Sequence, residues 1–204
     1  MIALPRLYAI VDSSLCGDSE TLFSKVGELL AAGVVFLQYR DKSGNPGEML
    51  AHARELKRLA DNSVKLIMND RADLCLAAGF DGVHVGQDDL SLEAARKIVG
   101  KVLWLGVSAH NPEEVAEADQ TTADYIAVGP VCATTSKSTA DPIIGLEGVR
   151  QARALTRKPL VAIGGITRAN CRQVIDAGAD SVAVISDLLR EPRQSAQEFL
   201  RILG

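Results

Sequence analysis

The chain is poor in cysteine, and its four cysteines, Cys16, Cys75, Cys132 and Cys171, show no C-x-x-C spacing. That argues against a zinc site and against a disulfide framework. No apolar run reaches the roughly 18 residues that a membrane span needs. The first residues, Met1-Ile2-Ala3-Leu4-Pro5-Arg6, lead straight into a strand-like run and lack the pattern of a secretory signal. A cytoplasmic location is the expectation. An excess of basic charge is also missing: the net charge is −4. This argues against nucleic acid as a partner, where a basic face is usual. It leaves room for a small phosphorylated substrate, because a local cluster of Lys and Arg can reverse the potential in one cleft.

What is present is an ordinary globular composition, 47% hydrophobic and 24% charged, over 204 residues. One domain, residues 1–204, is expected. Strand-like runs recur at 7–12, 34–40, 65–70, 82–87, 103–110, 125–131, 160–165 and 181–186. Most are apolar throughout rather than alternating, as suits parallel strands buried on both faces. Helical periodicity lies between them. Leu22, Val26, Leu29 and Leu30 form one stripe over residues 21–32, and Met49, Leu50, Ala53, Leu56 and Leu59 form another over 46–60. An echo of helix end, small residue and strand start recurs around Gly33, Gly79, Ala123 and Gly178. If each interval holds two strand–helix units, the chain closes into a compact (β/α)8 barrel. An open, doubly wound sheet is the alternative, disfavoured because no edge strand looks polar.

In such a barrel the active site lies at the carboxyl ends of the strands. The third and fourth runs end in Asn69-Asp70 and His84-Val85-Gly86-Gln87-Asp88-Asp89. Asp70 and Asp89 would share one hard cation; Mg²⁺ prefers one or two carboxylates together with waters and phosphate oxygens. The bland alternative is that each Asp caps the helix that follows it. In Gln38-Tyr39-Arg40-Asp41-Lys42, residues 38, 40 and 42 share one strand face. An inward Arg and Lys there would hold a phosphate or pyrophosphate; a solvated strand end with Arg40 paired to a neighbouring acid is the alternative. Thr134-Thr135-Ser136-Lys137 lies in a long loop after the sixth strand, read either as a lid over the site or as a linker. Gly164-Gly165 after the seventh strand and Ile185-Ser186 after the eighth are the pairing that many barrels use for phosphate. His52 is expected on a solvated helix face. Cys16, Cys75 and Cys171 are expected to be core or surface residues.

These motifs together resemble those of thiamine-phosphate synthase. The resemblance rests on Gln38–Lys42, Asn69-Asp70-Arg71, the His84-x-Gly86-Gln87-x-Asp89 run, Gly106-Val107-Ser108-Ala109-His110, Gly129-Pro130-Val131 with residues 134–137, and Ile163-Gly164-Gly165-Ile166, in order over nearly the whole chain. It implies a transferase of thiamine biosynthesis. That enzyme couples a pyrimidine methyl diphosphate to a thiazole ethyl phosphate and releases pyrophosphate. Gln38, Arg40, Lys42, Asn69, Ser108 and Lys137 would hold the pyrimidine diphosphate, with Tyr39 and Asp41 beside them and His84 near the ring. Asp70 and Asp89 would hold Mg²⁺ as cofactor. Thr134, Thr135, Ser136, Gly165, Ile185 and Ser186 would hold the thiazole phosphate. Arg40, Lys42, Ser108 and Lys137 would carry the catalysis.

The chain departs from the family pattern at Cys132, Ala133 and Ser136, where an aromatic residue, Pro and Thr are more usual. The thiazole nitrogen carries no proton to remove, so the lack of an obvious nucleophile–base pair agrees with this chemistry. A related barrel that only isomerises the thiazole would not need the two acids or the cations. A barrel that only senses a phosphorylated ligand would differ solely in lacking turnover. Oligomeric state, homo-oligomers included, stays open.

Overall fold

In the computed structural model, which describes residues 2–134 and 141–204, eight parallel strands close on themselves. The strands are β1 (Leu7–Asp12), β2 (Phe36–Arg40), β3 (Lys65–Asn69), β4 (Gly82–Val85), β5 (Trp104–Ala109), β6 (Tyr125–Val128), β7 (Leu160–Ile163) and β8 (Ser181–Val184). Each pairs with its successor, and β8 pairs with β1 through Leu7↔Val182 and Ala9↔Val184. The helices are α1 (Ser19–Ala31), α2 (Pro46–Leu59), α3 (Ala72–Ala78), α4 (Leu92–Val99), α5 (Pro112–Asp119), α6 (Gly145–Leu155), α7 (Cys171–Asp176), α8 (Ser186–Leu189) and α9 (Pro192–Leu203). The expected (β/α)8 barrel is therefore what the chain forms, and the open sheet is not.

Strand alternation sorts the side chains into two shells. Tyr8, Ile10, Phe36, Ile67, Tyr125, Ala127, Val161 and Ala183 fill the barrel interior. Alternate residues such as Leu7, Ala9, Val11, Leu66, Met68, Val83 and Val85 pack outward against the helices. The helical stripes serve that outer shell: Leu22, Val26 and Leu29 of α1 and Met49, Ala53 and Leu56 of α2 are buried. Asp18 caps α1 by accepting the Thr21 N–H, and Asn45 caps α2 ahead of Pro46.

The echo in the sequence marks a repeated device at the amino-terminal end of the barrel. Asp81, Asp124 and Asp180 each stand just before an even-numbered strand and turn one carboxylate oxygen onto the preceding strand. They accept the backbone N–H of Leu66 at 3.0 Å, Leu105 at 2.8 Å and Leu160 at 2.8 Å. Each also meets a cation from the helix that leads into that preceding strand: Lys57 of α2 at 3.4 Å, Arg96 of α4 at 2.7 Å and Arg153 of α6 at 2.9 Å. The first echo has Val35 at that place. The carboxylate thus ties helix, strand start and next strand together, which accounts for its repetition.

Six strands end earlier at their carboxyl side than the apolar runs suggest, for example β4 at Val85 and β7 at Ile163. The remaining residues of those runs leave the ladder and form the mouth. His52, expected on a solvated face, is instead buried, with Nε2 2.8 Å from Ser19 Oγ and Nδ1 2.9 Å from the Tyr39 hydroxyl. It packs under α1, where the Phe23 ring also meets it edge-on. Cys16, Cys75 and Cys171 are free thiols in the core, the buried one of the two places open to them.

Candidate active site

At the carboxyl ends of the strands lies a cavity of about 390 Å³. It is lined by Gln38, Arg40, Lys42, Asn69, Asp70, His84, Asp89, Ser108, Thr134, Gly165, Ile185 and Ser186, among others. These are twelve of the residues singled out in the sequence, drawn from seven different strand ends.

The inward register of β2 places Gln38, Arg40 and then Lys42 along one wall. Arg40 is the register partner of Asp12, the last residue of β1, and its guanidinium is ion-paired to that buried carboxylate. Asp12 also accepts the N–H and the hydroxyl of Ser14. Tyr39 and Asp41 occupy the alternate positions and face the helices. The Tyr39 hydroxyl donates to Asp41 at 2.8 Å, and Asp41 accepts the Ser43 N–H at 2.7 Å. Burial pushes the Asp41 carboxyl up, but the bonds from Ser43 and Tyr39 outweigh it and leave the group below its usual range. Neither side chain is among those brought to the cavity. A two-residue repeat cannot point 39 and 40 the same way.

The two acids do meet. Asp70 follows β3 and Asp89 follows β4, whose register pairs Asn69 with His84. Asp70 has φ = 60°, the one non-glycine residue at positive φ among those described. This left-handed turn is sparsely populated for side-chain-bearing residues and aims the carboxylate over the mouth. Asn69 Nδ2 donates to Asp70 Oδ2 at 2.6 Å, and the Asp70 N–H donates to the His84 carbonyl at 2.8 Å. Asp89 Oδ2 accepts the Gly86 N–H at 2.9 Å. Lys42 Nζ lies 2.5 Å from Asp70 Oδ2 and 3.8 Å from Asp89 Oδ1. The Asp70 carboxyl is raised above its usual range, first by burial and then by Asp89, against the pull of Lys42.

Helix capping does not account for either acid. The N-cap of α3 is Arg71, without a side-chain cap, and that of α4 is Ser91, which accepts from Ala94. Among the described residues no group of three or more His, Cys, Asp and Glu side chains is arranged to hold a metal ion. Two adjacent carboxylates are nevertheless the donor set that suits Mg²⁺, which takes its other ligands from water and phosphate. Their mutual repulsion is what a divalent cation would relieve, so the residues present fit that ion.

Across the mouth the backbone dominates. Gly164 and Gly165 have φ of 98° and 63°. A Cβ on Gly164 would lie 2.6 Å from Pro130 Cα, and one on Gly165 would lie 2.7 Å from Cys132 Cβ. Glycine is therefore required for this loop to nest against the segment after β6, where Val131 N–H donates to Ile163 O and Cys132 N–H to Gly164 O, each at 2.9 Å. Ser186 opens α8 on the same side. Thr135, Ser136 and Lys137 lie outside the described residues.

Sequence reasoning missed one participant, Tyr8, and did not name Asp12 as the acid paired with Arg40. Tyr8 lines the floor of the cavity, and Asp12 anchors Arg40. The alternation that placed Gln38 and Arg40 would have found both, since residues 8, 10 and 12 share the inward face of β1.

Known proteins place the chain further. A family model described as thiamine monophosphate synthase matches residues 7–188. A thiamine-phosphate synthase of Koribacter versatilis is 60% identical over 207 residues, covering 99% of this chain and 97% of that protein. One of Methanosarcina mazei is 38% identical, covering 96% and 82%. Among solved structures, a thiamine phosphate pyrophosphorylase of Pyrococcus furiosus superposes with a TM-score of 0.86 at 31% identity, covering 97% and 95% of the two chains.

Proposed function

The chain belongs to the thiamine monophosphate synthase family, a family of transferases that form thiamine phosphate, and from that premise we propose which substrates it joins and how. The substrates are 4-amino-2-methyl-5-(diphosphomethyl)pyrimidine and 4-methyl-5-(2-phosphoethyl)thiazole, and the products are thiamine phosphate and pyrophosphate. The carrying observation is the convergence of Asp70, Asp89 and Lys42 on one point of the rim, with Asn69 donating to Asp70 and Arg40 on the same strand face as Lys42.

The reaction breaks the bond from the pyrimidine methylene carbon to the diphosphate oxygen and forms one from that carbon to the thiazole nitrogen. The electron-rich aminopyrimidine stabilises positive charge on the carbon, so departure of the diphosphate can run ahead of attack. The nitrogen gives its lone pair and has no proton to lose, so no general base is required. Asp70 and Asp89 would hold Mg²⁺, which when bound would supply charge neutralisation for the leaving diphosphate. Arg40 and Lys42 stabilise the same developing charge from the β2 wall, and Lys137 is assigned to it with them. Gln38, Asn69, His84 and Ser108 orient the pyrimidine. The Gly164-Gly165 loop, Ile185, Ser186 and residues 134–136 hold the thiazole phosphate and so align its nitrogen with the carbon. Tyr39 and Asp41 act from behind the wall, by fixing the strand that carries Arg40 and Lys42. We place the enzyme in the cytoplasm; among the described residues no helix is long and apolar enough to cross a membrane.

The test mixes both substrates with the enzyme and follows pyrophosphate release, with Mg²⁺ and after chelation. Release that needs both substrates and the ion is expected. Isomerisation of the thiazole alone, binding without turnover, or release indifferent to the ion would overturn the assignment.

A further inference from the structure

Beneath the cavity, five polar side chains form one continuous hydrogen-bonded chain through the barrel. Gln38 Nε2 donates to the Tyr8 hydroxyl at 2.7 Å. The Tyr8 and Tyr125 hydroxyls are 2.9 Å apart, and the Tyr125 hydroxyl is 3.2 Å from His84 Nδ1. His84 Nε2 is 3.0 Å from Ser108 Oγ, on the cavity wall. Tyr8 and Tyr125 are 1% and 0% exposed. Burial holds both phenols far above their ordinary range, so each keeps its single hydrogen. The path is cleared by Gly106, whose Cβ would collide with the Tyr125 ring and lie 2.5 Å from His84 Nδ1. The His84 and Tyr125 rings stack at 5.6 Å.

Counting hydrogens fixes the direction of this chain. With Gln38 donating, Tyr8 gives its hydrogen to Tyr125, Tyr125 gives its own to His84 Nδ1, and His84 donates from Nε2 to Ser108. Every hydrogen in the dry interior then has an acceptor. In the reverse order His84 would donate from Nδ1 to Tyr125 and Tyr125 to Tyr8. The Tyr8 hydrogen would be stranded, because Gln38 faces it with a donor. We propose that Tyr125 is a positioning residue that holds His84 as its Nε2–H tautomer, so that Ser108 presents its hydroxyl hydrogen to an acceptor atom of the diphosphate substrate. Ser108 Oγ is occupied as an acceptor by His84, so its own hydrogen is left to point at the ligand. A ligand with a donor at that point is disfavoured. This inference leans on the proposed function only for the ligand; the proton order is a property of the protein alone.

The experiment is ¹⁵N NMR of the histidine ring nitrogens in the ligand-free protein, with the three imidazoles assigned by substituting His52 and His110 in turn. The wild type should show His84 Nε2 protonated and Nδ1 bare. Tyr125→Phe removes the donor to Nδ1 and should give a mixture of tautomers. Tyr8→Phe should keep the wild-type tautomer, because Tyr125 still has only His84 Nδ1 to donate to. Kinetically, Tyr125→Phe should lower kcat/KM for the diphosphate substrate about tenfold, the scale of one misdirected hydrogen bond. A wild-type Nδ1–H signal, or a Tyr125→Phe spectrum identical to wild type, would overturn the relay. If the wild type releases no pyrophosphate the functional assignment fails, while the ring spectra still decide the proton order.

Discussion

Asp12 and Arg40 stand side by side as register partners at the ends of β1 and β2, and their side chains form an ion pair in which the carboxylate is only 2% exposed. The pair is lopsided: the acid is sealed in the protein, while the guanidinium borders the cavity. Asp12 therefore orients Arg40 without touching a ligand.

Asp12→Asn should keep the shape and lose the charge. Breaking such a pair is expected to cost about 3 kcal/mol of stability and to raise KM for the diphosphate substrate, because Arg40 loses its aim. Urea unfolding and steady-state kinetics on the same preparation test both effects. Unchanged KM with lowered stability would reduce Asp12 to a structural role.

Asp70 separates charge from backbone strain. Asn tolerates the left-handed region nearly as well as Asp, so Asp70→Asn should melt close to wild type while kcat falls about 100-fold, the scale of losing one electrostatic stabiliser. Asp70→Val, branched at Cβ, should in addition destabilise the protein by about 1–2 kcal/mol. Equal melting temperatures for the two variants would show that the φ of 60° is not a constraint.

The acidic residues at the other end of the barrel should affect stability and leave chemistry alone. Burial pushes the Asp81 carboxyl up, but the Leu66 N–H and Lys65 and Lys57 outweigh it, so its folded pKa is depressed. A depressed carboxyl stabilises the fold at pH values above its unfolded pKa of about 3.9, and that contribution is lost as pH falls through the folded value. Asp81→Asn should therefore be less stable than wild type at neutral pH, and the gap should shrink on acidification below about pH 4. Urea midpoints at pH 7 and pH 3 supply the comparison, with turnover per folded molecule expected to be unchanged.

Gly164→Ala places a methyl against Pro130 at a φ of 98°. The loop must shift, costing about 1–3 kcal/mol, and KM for the thiazole phosphate should rise more than KM for the diphosphate. A matched rise in both would mean that the loop does not discriminate between the two ligands.

The barrel was legible because parallel strands buried on both faces leave apolar runs, and because Gly79, Ala123 and Gly178 repeat one junction. The inward set Gln38, Arg40, Asn69, His84 and Ser108 followed from strand alternation plus motif. The places of Tyr39 and Asp41 did not follow from the motif, which is contiguous while strand faces are not. His52 was misplaced because its helical position is equally compatible with solvent; only the tertiary pairing with Tyr39 and Ser19 decides it. The conformation of Asp70 left no trace in sequence, since Asp is common in turns of many kinds. The tyrosine chain was invisible for a different reason: Tyr8 and Tyr125 are 117 positions apart and read locally as core.

Because β8 pairs with β1, no strand in the described chain offers a vacant row of amides and carbonyls along its flank. The described strands therefore offer no edge for β-augmentation by another polypeptide, nor for the edge-to-edge sticking that open sheets must guard against. Any association this protein makes has to be written on its outer ring of helices or on the loops at its two ends.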